Sequence, residues 1–201
     1  MYEINNDKRA IGYLGPKYSY SNILLLENFS DIEYNYKEIN SIKNIFMSLD
    51  NGAIDYGLIP IRNSNFGEVK ESIIELNERL NRLTINKEFN FKINHCLITL
   101  KDVTNVKDIQ LILSHPQAIG QCKQYIEDNL SNVESIYETT STSVSTCLLS
   151  SQSSINGYNV KNCASISSYQ SSLQFHNLHV LDFNIQNDQS KCCYCIIYDN
   201  D

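Results

Sequence analysis

The sequence predicts an α/β fold, and two observations carry this prediction. Short apolar runs typical of buried strands alternate with stretches whose apolar residues recur at helical spacing. Each of the three prolines also follows one of these apolar runs and precedes one of the helix-like stretches. The alternation indicates helices that cover a largely parallel sheet.

The elements follow one another along the whole chain. In the first half we predict a strand over 10–14 broken by Gly15-Pro16, helices over 19–29 and 40–49, a strand over 56–59 ended by Pro60, and a helix over 69–83. In the second half we predict strands over 89–100 and 110–113, a helix capped by Ser114 and running to about 130, a strand over 135–138, a helix over 141–149, a strand over 163–166, a short helix over 168–173, and strands over 180–183 and 192–198.

The composition excludes several classes of protein. With 16 Lys and Arg against 23 Asp and Glu, the net charge of -7 offers no basic surface for nucleic acid and would repel an anionic membrane. No apolar run approaches the roughly 20 residues that cross a bilayer, and residues 1–10 lack the apolar stretch of a secretory signal. The seven cysteines are an odd number without regular spacing, which favours a reducing compartment. We therefore expect a cytoplasmic protein.

Four strand-to-helix turns are rich in polar side chains. Their segments are Gly15-Pro16-Lys17-Tyr18-Ser19-Tyr20-Ser21, Pro60-Ile61-Arg62-Asn63-Ser64, Ser114-His115-Pro116-Gln117, and Thr139-Thr140-Ser141-Thr142-Ser143. Such turns place hydroxyls, amides and cations near helix N-termini, where a small anion binds well. Each turn taken alone is equally well explained as a helix cap or a solvated loop.

In this order, the four turns resemble motifs of the prephenate dehydratase family. The family's Gly-Pro-Glu-Gly-Thr-Phe-Ser turn is similar to Gly15–Ser21, and its Val-Pro-Ile-Glu-Asn-Ser turn to Ile59–Ser64, followed by Gly67-Glu68-Val69. Its Ser-His-Pro-Gln-Ala motif with a following Gln-Cys resembles Ser114–Ala118 and Gln121-Cys122, and its Ser-Thr helix start resembles Ser141-Thr142. Cys163-Ala164-Ser165-Ile166 and Ile185-Gln186 stand where the family has Ala-Ile-Ala and Ile-Gln. The resemblance covers roughly residues 10–198.

The resemblance implies two α/β lobes of the periplasmic-binding-protein type II kind, with the second lobe inserted into the first. We place the first lobe at 9–84 plus 163–198 and the second at 85–162, with the substrate bound in the cleft between them. Members of the family commonly continue into a phenylalanine-sensing ACT domain, which we expect to be absent because this sequence ends at Asp201. The family's habit implies a homodimer.

The resemblance also implies a reaction and a set of site residues. The family converts prephenate, a small dianion, to phenylpyruvate with loss of water and carbon dioxide, as a carbon-oxygen lyase of phenylalanine biosynthesis. It uses no metal and no organic cofactor. The residues carried over are Thr142, Ser190 and Lys191 as catalytic groups, and Ser19, Arg62, Asn63, Ser64, Gln117 and Ser141 as substrate-binding groups.

The sequence departs from the family pattern at the end of the domain. The family's Thr-Arg-Phe motif falls either on Cys192-Cys193-Tyr194-Cys195 or, after a short deletion, on Ser190-Lys191-Cys192. The second alignment retains a hydroxyl and a cation, and it leaves an uninterrupted apolar strand over 192–198. Lys17 and Arg62 replace residues that are usually Glu, so the predicted site is more positive.

The altered terminal motif leaves two other hypotheses open. One is a non-aromatising prephenate decarboxylase related to the same family, and the other is a catalytically silent module that binds a small carboxylate. A metal site at the cysteine cluster is disfavoured, since adjacent strand residues such as Cys192 and Cys193 point to opposite faces.

Overall fold

The computed structural model of the chain describes residues 8–187 and 191–200. The first part contains strands β1 (Arg9–Leu14), β2 (Tyr34–Ile39), β3 (Tyr56–Asn63), β4 (Gly67–Glu68) and β5 (Leu83–Lys92), and helices α1 (Tyr20–Asn28), α2 (Ile42–Asp50) and α3 (Lys70–Glu78). Strands and helices follow one another much as the sequence predicts, except that β2, between α1 and α2, was not predicted.

The second part begins three residues after β5 and continues the alternation. It contains strands β6 (Cys96–Leu100), β7 (Leu111–Ser114), β8 (Ser135–Glu138), β9 (Ser154–Ile155), β10 (Tyr158–Asn159), β11 (Cys163–Ser167) and β12 (Leu178–Phe183), with helices α4 (Pro116–Gln121), α5 (Lys123–Asn129), α6 (Thr142–Ser151) and α7 (Tyr169–Ser172). Two single 3-10 turns lie at Val106–Asp108 and Val160–Asn162. A last strand, β13 (Lys191–Asp199), ends the described chain.

The chain folds into two compact units, and the second is inserted into the first. The first unit contains the described residues up to Phe91 and those from Lys191 onward, and the second contains the described residues from Lys92 to Asn187. The return to the first unit therefore occurs at Lys191 and not at Cys163, where the sequence analysis placed it. Strand β11, which contains Cys163, belongs to the second unit because it pairs with β6 and β7 of that unit.

The first unit is built around one mixed sheet with the strand order β2-β1-β3-β13-β5. Strands β1, β2 and β3 are parallel, whereas β13 runs antiparallel to β3. Helices α2 and α3 cover one face. The core on that face consists of Ala10, Ile42, Ile45, Phe46, Leu49, Ile54, Ile59, Cys195 and Ile197.

Strand β3 continues past Pro60, where the sequence predicted its end. Tyr194 of β13 lies opposite Pro60 while Cys193 lies opposite Arg62, so Ile61 is an extra residue that forms a bulge. A proline lacks the N–H that a sheet ladder needs, and a bulge is one of the few places in a sheet that tolerate it. The bulge allows the strand to extend to Asn63.

The second unit has a five-stranded sheet with the order β12-β6-β11-β7-β8. Strands β11, β7 and β8 are parallel, so their carboxyl ends meet at one edge. One face packs against α6 in a cluster that includes Cys163, and the opposite face packs on α4 in a cluster that includes Ala164 and Ile166. The side chains of β11 therefore alternate between two cores.

The strand predicted over 89–100 is two strands. Strand β5, apart from its last residue Lys92, belongs to the first unit and β6 to the second, with residues 93–95 between the strands. The helix predicted from Ser114 to about 130 is also interrupted, at Cys122, between α4 and α5. The first break carries no glycine or proline, whereas Gly120 lies two residues before the second.

Ile112 and Ile136 allow a matched test of the core in the second unit. They lie opposite each other on β7 and β8, yet Ile112 is fully buried whereas Ile136 is 44% exposed. We expect Ile112→Ala to lower the free energy of unfolding by about 2–5 kcal/mol and Ile136→Ala by less than about 1 kcal/mol. Urea denaturation measures both changes, and equal losses would contradict this packing.

Candidate functional site

The turn after β3 is fixed by the start of β13. The backbone N–H of Ser64 donates to the carbonyl of Lys191 at 2.9 Å, and the Ser64 hydroxyl accepts from the Lys191 N–H at 3.0 Å. The Asn63 side chain closes the turn by accepting from the N–H of Asn65 at 2.9 Å. Residues that the sequence analysis selected from opposite ends of the chain are thus neighbours.

The strand register separates these side chains into two groups. Asn63 lies opposite Cys192, and Arg62 lies opposite Cys193. Because successive strand residues point to opposite faces, Arg62 and Asn63 leave the sheet on different sides. Lys191 alternates with Cys192 and therefore shares the face of Arg62, at the diagonal spacing of about 7–8 Å between such strand neighbours. Both cations are exposed.

On the Asn63 face, polar side chains extend towards α1. Tyr194, which is 5% exposed, is joined by side-chain hydrogen bonds to the thiol of Cys192 and the hydroxyl of Ser21. Burial raises the pKa of Tyr194, so the phenol stays protonated. Tyr194 falls in the family's Thr-Arg-Phe motif in one of the two alignments, and the structure makes it a buried part of the sheet.

The turn before α1 holds Ser19 as a helix cap. Its hydroxyl donates to the carbonyl of Leu14 at 2.9 Å and accepts from the N–H of Asn22 at 3.4 Å. Tyr18 has a positive φ of 66°, and its N–H donates to the Asn22 side chain at 2.9 Å. Ser19 is therefore committed to capping α1, which agrees with the simpler explanation of this motif.

The second unit brings Gln117, Ser141 and Thr142 to one edge of its sheet. The chain turns into α4 after β7 and towards α6 after β8, and the two strand ends are joined because the N–H of Thr139 donates to the carbonyl of Ser114 at 2.9 Å. Parallel strands place such turns at the same edge, where ligands commonly bind. Half-buried Gln117 follows Pro116 in the first turn of α4.

Ser141 caps α6 and leaves Thr142 available. The Ser141 hydroxyl accepts from the N–H of Val144 at 3.1 Å and lies 3.1 Å from the hydroxyl of Ser143. Thr142 is half-buried, and its side-chain hydroxyl has no hydrogen-bond partner among residues 8–187 and 191–200. An unbonded hydroxyl in the first turn of a helix is well placed to bind an anion.

Two details differ from the sequence analysis. Ser114 is the last residue of β7 and donates its hydroxyl to the carbonyl of Ile166 at 2.6 Å. The cap of α4 is His115 instead, whose Nδ1 accepts from the N–H of Gln117 at 3.2 Å. Ser190, expected as a catalytic hydroxyl, lies outside the described residues.

A buried polar network surrounds His95. His95 Nε2 lies 2.7 Å from Gln121 Oε1, and the His95 N–H donates to Gln186 Oε1 at 2.8 Å. The N–H of Ile185 donates to the carbonyl of His95 at 3.0 Å, and that of Asn187 to the carbonyl of Gln121 at 2.7 Å. The network fixes the segment just before the chain returns to the first unit. A single histidine in an apolar run gives no sequence signal for it.

The thiols are suited to packing more than to chemistry. All seven cysteines are free, and burial raises the pKa of Cys192 to about 11 and that of Cys195 to about 12. Cys192 and Cys195 therefore stay protonated near neutral pH, which makes these two thiols poor metal ligands and nucleophiles. No group of three or more His, Cys, Asp or Glu side chains in the described chain has a geometry that could hold a metal ion. None of the described helices has both the length and the apolar character to span a membrane.

Comparison with known proteins identifies the family. The family model for prephenate dehydratase matches residues 11–199. The chain belongs to the prephenate dehydratase family. A curated relative, the bifunctional chorismate mutase/prephenate dehydratase of Buchnera aphidicola subsp. Schizaphis graminum, is 34% identical over 128 residues. That match covers 61% of this chain but 32% of the relative, so the chain matches about a third of the relative's length.

Solved structures show the same fold. Prephenate dehydratase from Arthrobacter aurescens, solved in complex with L-Phe, is 19% identical and has a TM-score of 0.80 over 96% of this chain and 61% of its own. A protein described as a novel type of quorum quenching acylase is 18% identical and has a TM-score of 0.77 over 96% of this chain and 65% of its own. At these identities the likeness concerns the fold, which does not select one reaction.

Two histidines give the stability of the protein a defined pH dependence. Burial lowers the pKa of both His95 and His115, although Glu138 opposes the shift at His115. As the pH falls below about 6.5, the unfolded chain takes up protons that the folded chain resists, so the free energy of unfolding should decrease. Asp50 and Asp102, whose carboxyl pKa values are lowered by Arg79 and Lys161 respectively, add a further loss only below about pH 4.

Urea denaturation between about pH 5 and 7.5 measures this dependence. We expect a flatter profile in His95→Gln and in His115→Gln, since each substitution removes one of the two titrating groups. A free energy of unfolding that stays constant or rises towards pH 5 would contradict the assignment.

Proposed function

We propose that this chain is a lyase that converts prephenate to phenylpyruvate, carbon dioxide and water, as a step of phenylalanine biosynthesis in the cytoplasm. The match of the family model to residues 11–199 carries the proposal. It is supported by the polar groups that the two units hold, namely Arg62, Asn63, Ser64 and Lys191 in the first and Gln117, Ser141 and Thr142 in the second.

The reaction needs binding and orientation more than a strong base. The bond from the ring to its carboxylate breaks, and its electron pair completes the aromatic ring as the ring hydroxyl leaves. A proton delivered to that hydroxyl makes water, so the dianion and one proton yield phenylpyruvate, carbon dioxide and water. Hydrogen-bond donors placed where charge develops lower the barrier to such a step.

We assign one carboxylate of the substrate to the cations of the first unit. Arg62 and Lys191 share one face at the diagonal spacing of neighbouring strand residues, and the two backbone and hydroxyl hydrogen bonds of Ser64 fix the start of β13 beside them. Arg62 presents a planar fork and Lys191 a point charge, so the two need not contribute equally. Asn63, on the other face, orients the substrate from the side of α1.

We assign the second carboxylate to the first turn of α6. The Thr142 hydroxyl and the positive end of the helix dipole both favour an anion there. Gln117 supplies a neutral hydrogen-bond partner from the neighbouring turn. Ser190 remains our assignment for the proton donor to the leaving hydroxyl, and a homodimer remains part of the proposal.

Incubation of the purified chain with prephenate tests the function. We expect ultraviolet absorbance to show phenylpyruvate. A non-aromatic keto acid would instead indicate decarboxylation without loss of the hydroxyl, which is the outcome favoured if the altered terminal motif removes proton donation. An unchanged substrate that raises the melting temperature would indicate a binding module, and an unchanged substrate without such a shift would contradict all three functions.

Two variants test the assignment of residues. Lys191→Met and Thr142→Val each remove one polar contact with a carboxylate, and we expect kcat/KM for prephenate to fall by about 10- to 100-fold in each. Lys123→Gln is a matched control, since Lys123 is 72% exposed on α5 and pairs only with Glu127 among the described carboxylates. If Lys123→Gln reduces turnover as much as Lys191→Met does, the effect comes from the general charge and the assignment is contradicted.

A further inference from the structure

Ser167 has a buried hydroxyl with no hydrogen-bond partner among the residues that the structure describes. It is the last residue of β11, its relative exposure is 0%, and its hydroxyl has no hydrogen-bond partner within the described chain. Buried polar side chains in folded proteins are nearly always hydrogen-bonded, and an unmet one costs about 1–3 kcal/mol. A role in binding would explain why the protein retains this hydroxyl despite its cost in stability.

The side chain of Ser167 lies on the face of the sheet that α6 covers. Along β11, Cys163 packs in the core beneath α6, whereas Ala164 and Ile166 pack in the core on the opposite face. Ser165 confirms the alternation, because its hydroxyl lies 2.6 Å from that of Ser145 and 3.2 Å from that of Thr146, both on α6. Ser167 is two residues further on and points the same way.

The position of Ser167 along the strand matches the first turn of α6. Two strand residues advance about 6.7 Å, and the three or four helix residues from Ser145 or Thr146 back to Thr142 span about 4.5–6 Å. The helix begins at the carboxyl edge of the sheet and runs back along it, so Ser167 and Thr142 reach the same level.

The first turn of α6 has further unmet donors. The hydroxyl of Thr142 and the backbone N–H groups of Thr142 and Ser143 have no hydrogen-bond partner among the described residues. The next two N–H groups do have one, because the Ser141 hydroxyl accepts from Val144 and the Ser141 carbonyl accepts from Ser145. These donors and the helix dipole together favour a carboxylate.

We propose that the Ser167 hydroxyl donates a hydrogen bond to a substrate carboxylate bound at the first turn of α6. The proposal rests on the proposed function for the identity of the substrate, and it adds a binding residue from β11 to those on the helix. Ser167 is 0% exposed, so the proposal requires the half-buried Thr142 side chain, at the same level of the sheet, to change rotamer when the carboxylate binds. Threonine in a helix readily occupies two χ1 rotamers, which makes this movement inexpensive.

Ser167→Ala tests the proposal, which predicts that this substitution weakens the binding of prephenate without lowering the stability of the free protein. Removing an unsatisfied buried hydroxyl should leave the melting temperature of the free protein unchanged or raise it. The same change should weaken the binding of prephenate, measured by isothermal titration calorimetry, by about 10- to 100-fold, as expected for a hydrogen bond to a charged group.

Ser165→Ala is the matched control on the same strand and face. It removes a hydroxyl bonded to Ser145 and Thr146, so it should lower the melting temperature while leaving the dissociation constant of prephenate unchanged. A Ser167→Ala variant that melts at a lower temperature and binds prephenate as tightly as the parent would overturn the proposal, since it would indicate a hydroxyl satisfied by a structural water.

Titrations with phenylpyruvate and assays of turnover separate this proposal from the proposed function. If the parent chain converts prephenate but Ser167→Ala binds it unchanged, the role of Ser167 is wrong and the function stands. If the parent binds either acid without turnover and Ser167→Ala loses that affinity, the role of Ser167 stands and the function is wrong. If the parent binds neither acid, both are overturned.

Discussion

The pairing of the last strand with β3 is the constraint on which the proposed chemistry of the first unit depends. Strand β13 returns antiparallel to β3 after the whole second unit has been inserted, and its first residue is held by two hydrogen bonds to Ser64. This pairing alone puts Lys191 on the face of Arg62. The bulge at Ile61 belongs to the same arrangement, because it shifts the register so that Asn63 lies opposite Cys192 while Tyr194 stays opposite Pro60.

In the second unit the corresponding constraint is the parallel arrangement of β11, β7 and β8. Parallel strands end at one edge, so three separate turns meet there and the start of α6 lies beside them. Hydroxyls of α6 and β11 are hydrogen-bonded to each other beneath the helix. The last hydroxyl of this series, that of Ser167, has no partner within the described part of the chain. Hydrogen-bond donors without partners destabilise the free protein, but a group of them can bind a carboxylate.

Local chemistry made part of this structure predictable. The Ser19 and Ser141 caps, with side chains that accept from the N–H groups of Asn22 and Val144, start helices close to where hydroxyl-rich turns predicted them. The resemblance of the four turns to known motifs predicted the family and the two-lobed fold. A single turn predicts neither, because a helix cap or a solvated loop explains it equally well. The alternation of strands and helices was also visible as hydrophobic periodicity.

Features set by distant contacts escaped prediction. The crossing at residues 93–95 carries no glycine or proline, so β5 and β6 read as one strand. The apolar sequence of strand β11 would suit a buried strand in either sheet. Only its pairing with β6 and β7 assigns it to the second unit. The hydrogen bond of His95 to Gln121, and the lack of a partner for Ser167 among residues 8–187 and 191–200, depend on three-dimensional packing that no local pattern encodes.

The most direct test of this account is to follow the backbone amide resonances of the protein by NMR during titration with prephenate. The account predicts chemical-shift changes that saturate with one dissociation constant at Ser64 and Lys191 in the first unit and at Thr142 and Ser143 in the second. Changes confined to one of these groups, or found only at amides remote from both, would contradict the proposed assignment of one substrate carboxylate to each group.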